Sequence, residues 1–204
     1  GLLAGHYGRA GHLEKAIALS QELIDDARAR DWHAEAALRL HNQSLLFVRL
    51  EDWPNARKAM EESLALRPPS EEQGRAMTRK FLGGVLNAQA QPERAAEVLL
   101  QAIDGFVRSG LAPHVLLASL ELAHSRFLQG RIAESRALID AHRRVIDEPR
   151  FIGERQGVLL LDARVHTAQG QLMPAQAAME EVLRLRDASL RRQLDAQSAR
   201  LRAE

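Results

Sequence analysis

Gly11-His-Leu-Glu-Lys-Ala16, Glu51-Asp-Trp-Pro-Asn-Ala56, Ala90-Gln-Pro-Glu-Arg-Ala95, Gly130-Arg-Ile-Ala-Glu-Ser135 and Gly170-Gln-Leu-Met-Pro-Ala175 are one phrase written five times. Each opens on a turn residue, passes through an apolar residue and two or three polar or small ones, and ends on Ala or Ser. The closing small residues are spaced by 40, 39, 40 and 40 positions, a regularity that marks an internal repeat of supersecondary units.

Working outward from the phrase, a second small residue stands upstream of each turn in the same register: Ala4, Ser44, Gly83, Ala123 and Ala163. Three residues further on come Tyr7, Phe47, Leu86, Arg126 and His166. A small residue within a helix lets a neighbour approach closely, and a bulky one a turn later fills the space beside it. After the turn, Ser20, Met60, Leu99, Ile139 and Met179 follow the closing small residue by four positions, which is helical spacing. Pro54, Pro92 and Pro174 fall in the first turn of the helices after the phrase, where a missing N–H costs little, and Pro113 and Pro149 open the helices before it. The pattern predicts helices near 12–29, 32–50, 53–66, 70–88, 92–109, 112–129, 131–146, 149–168 and from 173 onward.

A first helix with a small residue at its middle, a turn, and a second helix entered through an apolar residue and Ala resembles the tetratricopeptide repeat, over Leu3 to about Val182. Pro68, after the second helix of unit two, also sits where that family often has a proline. Two features depart from the pattern: the period is near 40 rather than about 34, and Arg126 stands at an apolar or aromatic position, beside Phe127. The longer period is similar to variant repeats of bacterial regulators; HEAT and armadillo repeats fit less well. The resemblance implies an all-α, right-handed superhelical solenoid of five helix pairs, with units near 1–30, 31–69, 70–110, 111–147 and 148–183. Residues 184–204 are expected to extend the last helix. The stretch Leu185 to Glu204 resembles the helical linker that follows such repeats in bacterial signalling proteins, ahead of an output domain that is often a diguanylate cyclase and sometimes a histidine kinase. Absence of an initiating Met and an ending inside this helix read as an excised piece of a larger regulator.

Composition narrows the function. The apolar share is 46% while aromatics make up 4%, so the core must come from Leu, Ala, Val and Ile, which suits close-packed helices. Lys and Arg number 28 against 27 Asp and Glu, a balance that offers no broad field for nucleic acid or an anionic membrane. Zero cysteines exclude disulfides, thiolate catalysis and Cys-based metal sites. Eight histidines include no pair at i, i+4 and no His-Glu-x-x-His, so structural or surface roles are expected. Gly83-Gly84 lacks the rest of a phosphate loop and no Gly-x-Ser-x-Gly elbow occurs, so neither an active site nor a cofactor is expected. The carboxylates, spaced among Lys and Arg on helical surfaces, read as solvated faces. Asn42-Gln43-Ser44 matches the glycosylation triplet by chance, inside a helical pattern. A cytoplasmic location is expected, with a periplasmic sensor domain as the alternative.

In the resembling family the first helices line a concave groove. Here the register puts three columns on it: His41, Lys80, Leu120 and Leu160; Leu45, Gly84, His124 and Arg164; Val48, Asn87, Phe127 and Thr167. The candidate ligand-binding set is His41, Leu45, Arg49, Lys80, Asn87, His124, Phe127 and Arg164. None of the twelve column positions is acidic, which predicts a protein or peptide partner with acidic groups. The bland alternative is that the apolar members pack between repeats and the basic ones are ordinary surface. Lys80 and Asn87 resemble part of the carboxylate clamp of chaperone-binding repeats, with too few matching partners to carry that function over. Leu183, Leu190, Leu194 and Leu201, spaced 7, 4 and 7 and interrupted by Asp187 and Gln197, outline a heptad seam through which two copies would pair. Two functions follow: a sensory module controlling an output domain, or a scaffold that dimerises through its last helix.

Overall fold

The computed structural model describes residues 12–148 and 151–203, and these form helix joined to helix without a strand. Nine helices occupy the described residues: α1 Leu13–Ala29, α2 His33–Arg49, α3 Trp53–Leu66, α4 Glu72–Ala88, α5 Pro92–Arg108, α6 Ala112–Leu128, α7 Ile132–Ile146, α8 Ile152–Ala168 and α9 Leu172–Ala203. The expected boundaries agree to within about three residues. Ala4, Tyr7 and Gly11, the first pair's leading helix and Pro149 lie outside the described residues.

Each of the four phrases within the described residues opens on a residue of special backbone conformation. Glu51 and Ala90 hold φ at 57° and 55°, Gly130 and Gly170 at 74° and 72°, and the alternate turns repeat the device at Asp31 and Gly110 with 56° and 68°. Five of these turns close in the same way. The N–H groups of Trp32, Asp52, Gln91, Leu111 and Gln171 reach back to the carbonyls of Ala27, Phe47, Leu86, Phe106 and His166 at 2.9–3.0 Å. This is the Schellman termination, which satisfies the last carbonyls of a helix. The turn after α3 differs because Arg67 precedes Pro68, and a residue before proline is driven out of the helical region. Arg67 is accordingly extended, at φ −77° and ψ 126°. On the entry side, Asp52 caps α3 by accepting from the N–H of Asn55 at 3.2 Å.

Packing follows the register of small residues. Ala16, Ala56, Ala95 and Ser135 are fully buried and Ala175 nearly so, and Ser44, Gly83, Ala123 and Ala163 are buried on the facing helices. A Cβ at Gly83 would stand 2.4 Å from Cγ of Leu99, and one at Gly105 would stand 2.9 Å from Cβ of Ala76. Helices α4 and α5 therefore approach to a distance that only glycine allows at both points. Met60, Leu99 and Ile139, four residues past the closing small residue, are fully buried, whereas Met179 at the same register is 43% exposed.

The chain divides into two compact units, Gly1–Gln129 and Gly130–Glu204. In the first, α1 to α6 pack each on the next, and α4 also touches α6. Its core runs through Ile24, Leu40 and Ala59, then Ala56, Met60, Leu82, Val85 and Leu86, then Ala76, Ala102, Phe106 and Ala118. In the second, α8 packs on α7, and on α9 around Leu159, Ala163, Ala178 and Val182. Asp162, also on α8, is buried there and accepts from Arg136 Nη1 and Arg143 Nη2, each at 2.6 Å. The expectation that the carboxylates are solvated faces holds for pairs such as Arg30–Asp26 and Arg57–Glu61 but is overturned at Asp162.

A left-handed backbone disfavours any residue with a Cβ, so Ala90→Gly and Glu51→Gly should each stabilise the first unit by about 0.5–1 kcal/mol, and Gly110→Ala should destabilise it by a similar amount. Urea unfolding followed by circular dichroism measures both signs.

Candidate functional site

The contact of α4 with α6 decides which side chains of the expected groove meet. Asn87, in the last turn of α4, is buried, and its Nδ2 donates to Oε1 of Glu121 at 2.9 Å and to the Glu121 carbonyl at 3.4 Å. His124, one turn along α6, brings Nδ1 to 3.8 Å from the same carboxylate oxygen. Gly84 lies opposite, where a Cβ would reach only ordinary contact, 3.6 Å, with that oxygen. Lys80, one turn earlier on α4, holds Nζ 4.2 Å above the ring of Phe81.

Burial opposes ionisation of Glu121, but the imidazole of His124, the Asn87 hydrogen bond and the charge of Lys80 outweigh it and hold its carboxyl below the ordinary value. The face therefore carries a carboxylate at neutral pH among its cations. This residue was missed because each column takes one position per turn, while the exposed stripe of a helix is wider. Glu121 is adjacent to Leu120 and three residues before His124, so a broader stripe would have included it.

His41 is buried on α2 rather than displayed. Its Nδ1 lies 3.1 Å from Oγ1 of Thr78, whose hydroxyl donates to the Gly74 carbonyl at 3.0 Å, so Nδ1 is the donor in that pair. The ring meets Phe81 edge-on, with centroids 5.5 Å apart. Burial, followed by the charges of Arg67 and Lys80, lowers its pKa to about 4. His41, a residue type able to become cationic, is thus neutral at physiological pH.

The remaining expected positions divide. Leu45 and Val48 pack against the core cluster of α3, α4 and α5, and Leu120 is buried, so these are packing residues. Arg49 is exposed in the last turn of α2, and Phe127 is half-buried on α6. Leu160, Arg164 and Thr167 lie on α8 in the second unit, where Arg164 is exposed and Thr167 Oγ1 donates to the Ala163 carbonyl at 2.8 Å. Among the described residues no group of three or more His, Asp or Glu side chains is placed to hold a metal ion. Nor is any helix among them long and apolar enough to cross a membrane.

This arrangement is a TPR-like helical repeat. No protein-family model matches the chain, and no curated protein does. Solved structures do. BtubC (BKLC) from P. vanneervenii superposes with a TM-score of 0.73 at 18% identity, over 92% of this chain and 78% of that one. A protein of nearly identical TPR-like repeats from Podosopora anserina gives 0.70 at 20% identity, over 92% and 93%. MamA from Desulfovibrio magneticus RS-1 gives 0.62 at 19%, over 91% and 92%. At these identities the likeness is one of fold.

The buried neutral His41 makes stability depend on pH. The unfolded chain takes up a proton near the ordinary 6.5, while the folded chain resists until about 4, so stability should fall as pH drops across that window. The expected loss is on the order of 3 kcal/mol. Urea midpoints measured from pH 7 to 4 should flatten in His41→Gln, leaving the slope of His142, whose pKa burial also lowers.

Proposed function

We propose that the face of α2, α4 and α6 binds a segment of another protein, and that the module is non-catalytic. The observation that carries this reading is the Asn87–Glu121–His124 cluster beside Lys80, a set of polar side chains held on first helices by packing rather than by loops. TPR-like folds generally mediate protein interaction, which supports the same reading. Glu121 refines the partner. In place of a uniformly acidic ligand, the segment carries an acidic group for Lys80 and a hydrogen-bond donor for Glu121. Binding is relayed in the cytoplasm through α9 to an output domain, with a diguanylate cyclase as the first candidate. The resemblance of Leu185 to Glu204 to helical signalling linkers supports this step.

Peptides selected from a display library on the wild-type chain, read by fluorescence polarisation, test the groove. Asn87→Ala combined with Glu121→Gln and Phe127→Ala should weaken the selected peptide at least tenfold with the fold intact by circular dichroism. Unchanged affinity would mean that this face is not the binding surface.

A second reading, self-association through α9, draws on one observation. Leu183, Leu190 and Leu194 are 53%, 54% and 56% exposed on a 32-residue helix. The Leu201 side chain lies outside the described residues. Replacing all three leucines by Ser should convert a dimer to a monomer in sedimentation equilibrium; a wild-type monomer at every concentration removes this reading.

A further inference from the structure

A cavity of about 490 Å³ opens in the first unit between α2, the α3–α4 connection and the first turn of α4. Arg67 lines it. Its side chain is 8% exposed, its Nη1 donates to Oε2 of Glu71 at 2.7 Å, and its Nε is buried with no hydrogen-bond partner. The guanidinium lies across Gly74, where a Cβ would fall 2.3 Å from Nη1, so the absence of a side chain at 74 makes its position available. Arg75 fixes the backbone beneath by donating to the carbonyls of Arg67 and Leu64, at 2.7 and 3.1 Å.

The first turn of α4 forms another wall. No side chain caps it, and the first helical hydrogen bond is Arg75 N–H to the Glu71 carbonyl at 3.0 Å. The N–H groups of Glu72, Gln73 and Gly74 precede that bond and have no helical acceptor. They add the positive end of a 17-residue helix to the charge of Arg67. Leu38 and Met77 supply apolar wall, and the Glu72 carboxylate is engaged by Arg108.

We infer that this cavity binds a small carboxylate-bearing molecule, its carboxylate on Arg67 and the first turn of α4 and its apolar part between Leu38 and Met77. Glu71 is the internal competitor, because its carboxylate already accepts from Arg67 and must yield to the ligand. The volume lies within the usual range for small-ligand sites. The same chemistry is offered by a free carboxylic acid and by the C-terminal residue of a peptide. The site adjoins the proposed peptide face at His41 but does not depend on it.

The test uses NMR titration of the chain with hexanoate, hexanamide, and N-acetyl-Ala-Leu as free acid and as amide. Saturable shifts at Gln73, Gly74 and Met77 are expected with a free acid, and at least tenfold weaker binding with its amide. Arg67→Met should abolish binding, Gly74→Ala should weaken it by displacing the guanidinium, and Glu71→Gln should tighten it several-fold by removing the competitor. If Arg67→Met fails to fold, the opposite signs of Gly74→Ala and Glu71→Gln decide. Hexanoate binding identifies a free acid as the ligand, and binding of the dipeptide acid alone identifies a chain terminus. Equal binding of acid and amide, no binding of either acid, or indifference to all three substitutions overturns the inference. Asn87→Ala should leave hexanoate binding unchanged, which separates this outcome from the fate of the peptide face.

Discussion

Helices α4 and α5 lie as close as they do because two carbon atoms are missing between them. At Gly83 a methyl group would enter the space held by Leu99, and at Gly105 it would enter that of Ala76. In the other units the register of Gly83 is filled by Ala or Ser, the smallest side chains that still favour or tolerate a helix. Close approach matters because dispersion falls steeply with distance, and a core almost without aromatics relies on many short contacts among small and aliphatic groups. The positions of Met60, Leu99 and Ile139 follow from it: each fills the gap one turn beyond the small residue and is buried completely.

A second constraint keeps the helices in register. The left-handed turn residues recur at intervals of about twenty or forty, and at five of them the helix ends on the same cap and the chain reverses by the same geometry. Three of these positions are Asp, Glu and Ala, where glycine would be less strained. Such strain is tolerable because the Schellman hydrogen bonds and the packed faces on either side over-determine the turn. The α3–α4 connection lacks this cap because proline follows Arg67. That exception places an extended arginine, an uncapped helix start and a side-chain-free Gly74 around one cavity.

Most of the fold was legible because both constraints write themselves into sequence as periodic small residues and turn residues. Neither requires knowledge of which helix lies against which. The site was less legible, since it depends on the lateral contact of α4 with α6. Lys80, Asn87 and His124 were placed on one face by register alone, and they do lie near one another. Glu121 was not found, because a single column per turn is narrower than the face it stands for. His41 occupies its expected register, yet burial and the nearby cations strip it of the charge its residue type suggested. Asp162 and Arg67 escaped for the same reason: periodicity locates a residue on a helix but does not reveal how deeply a charged group is enclosed.

Those enclosed charges explain why a repeat built from interchangeable packing units need not be functionally uniform. Asp162 holds two arginines on the second unit, Glu121 sits among an amide, an imidazole and a lysine on the first, and Arg67 is held by Glu71 alone with one nitrogen left over. Enclosing a charge costs several kcal/mol before any partner is counted. Where the partners of the carboxylate are complete, as around Asp162, each oxygen accepting from an arginine, the arrangement is explained by stability and by the joining of α7 to α8, although Nη2 of Arg136 is itself buried without a partner. Where they are incomplete, as at Arg67, packing alone gives no compensation for the cost. The part of that compensation still missing inside the protein is the part a ligand can supply, and this is why an enclosed charge with an unmatched nitrogen beside a cavity, rather than the most exposed charge, marks the place to look for binding.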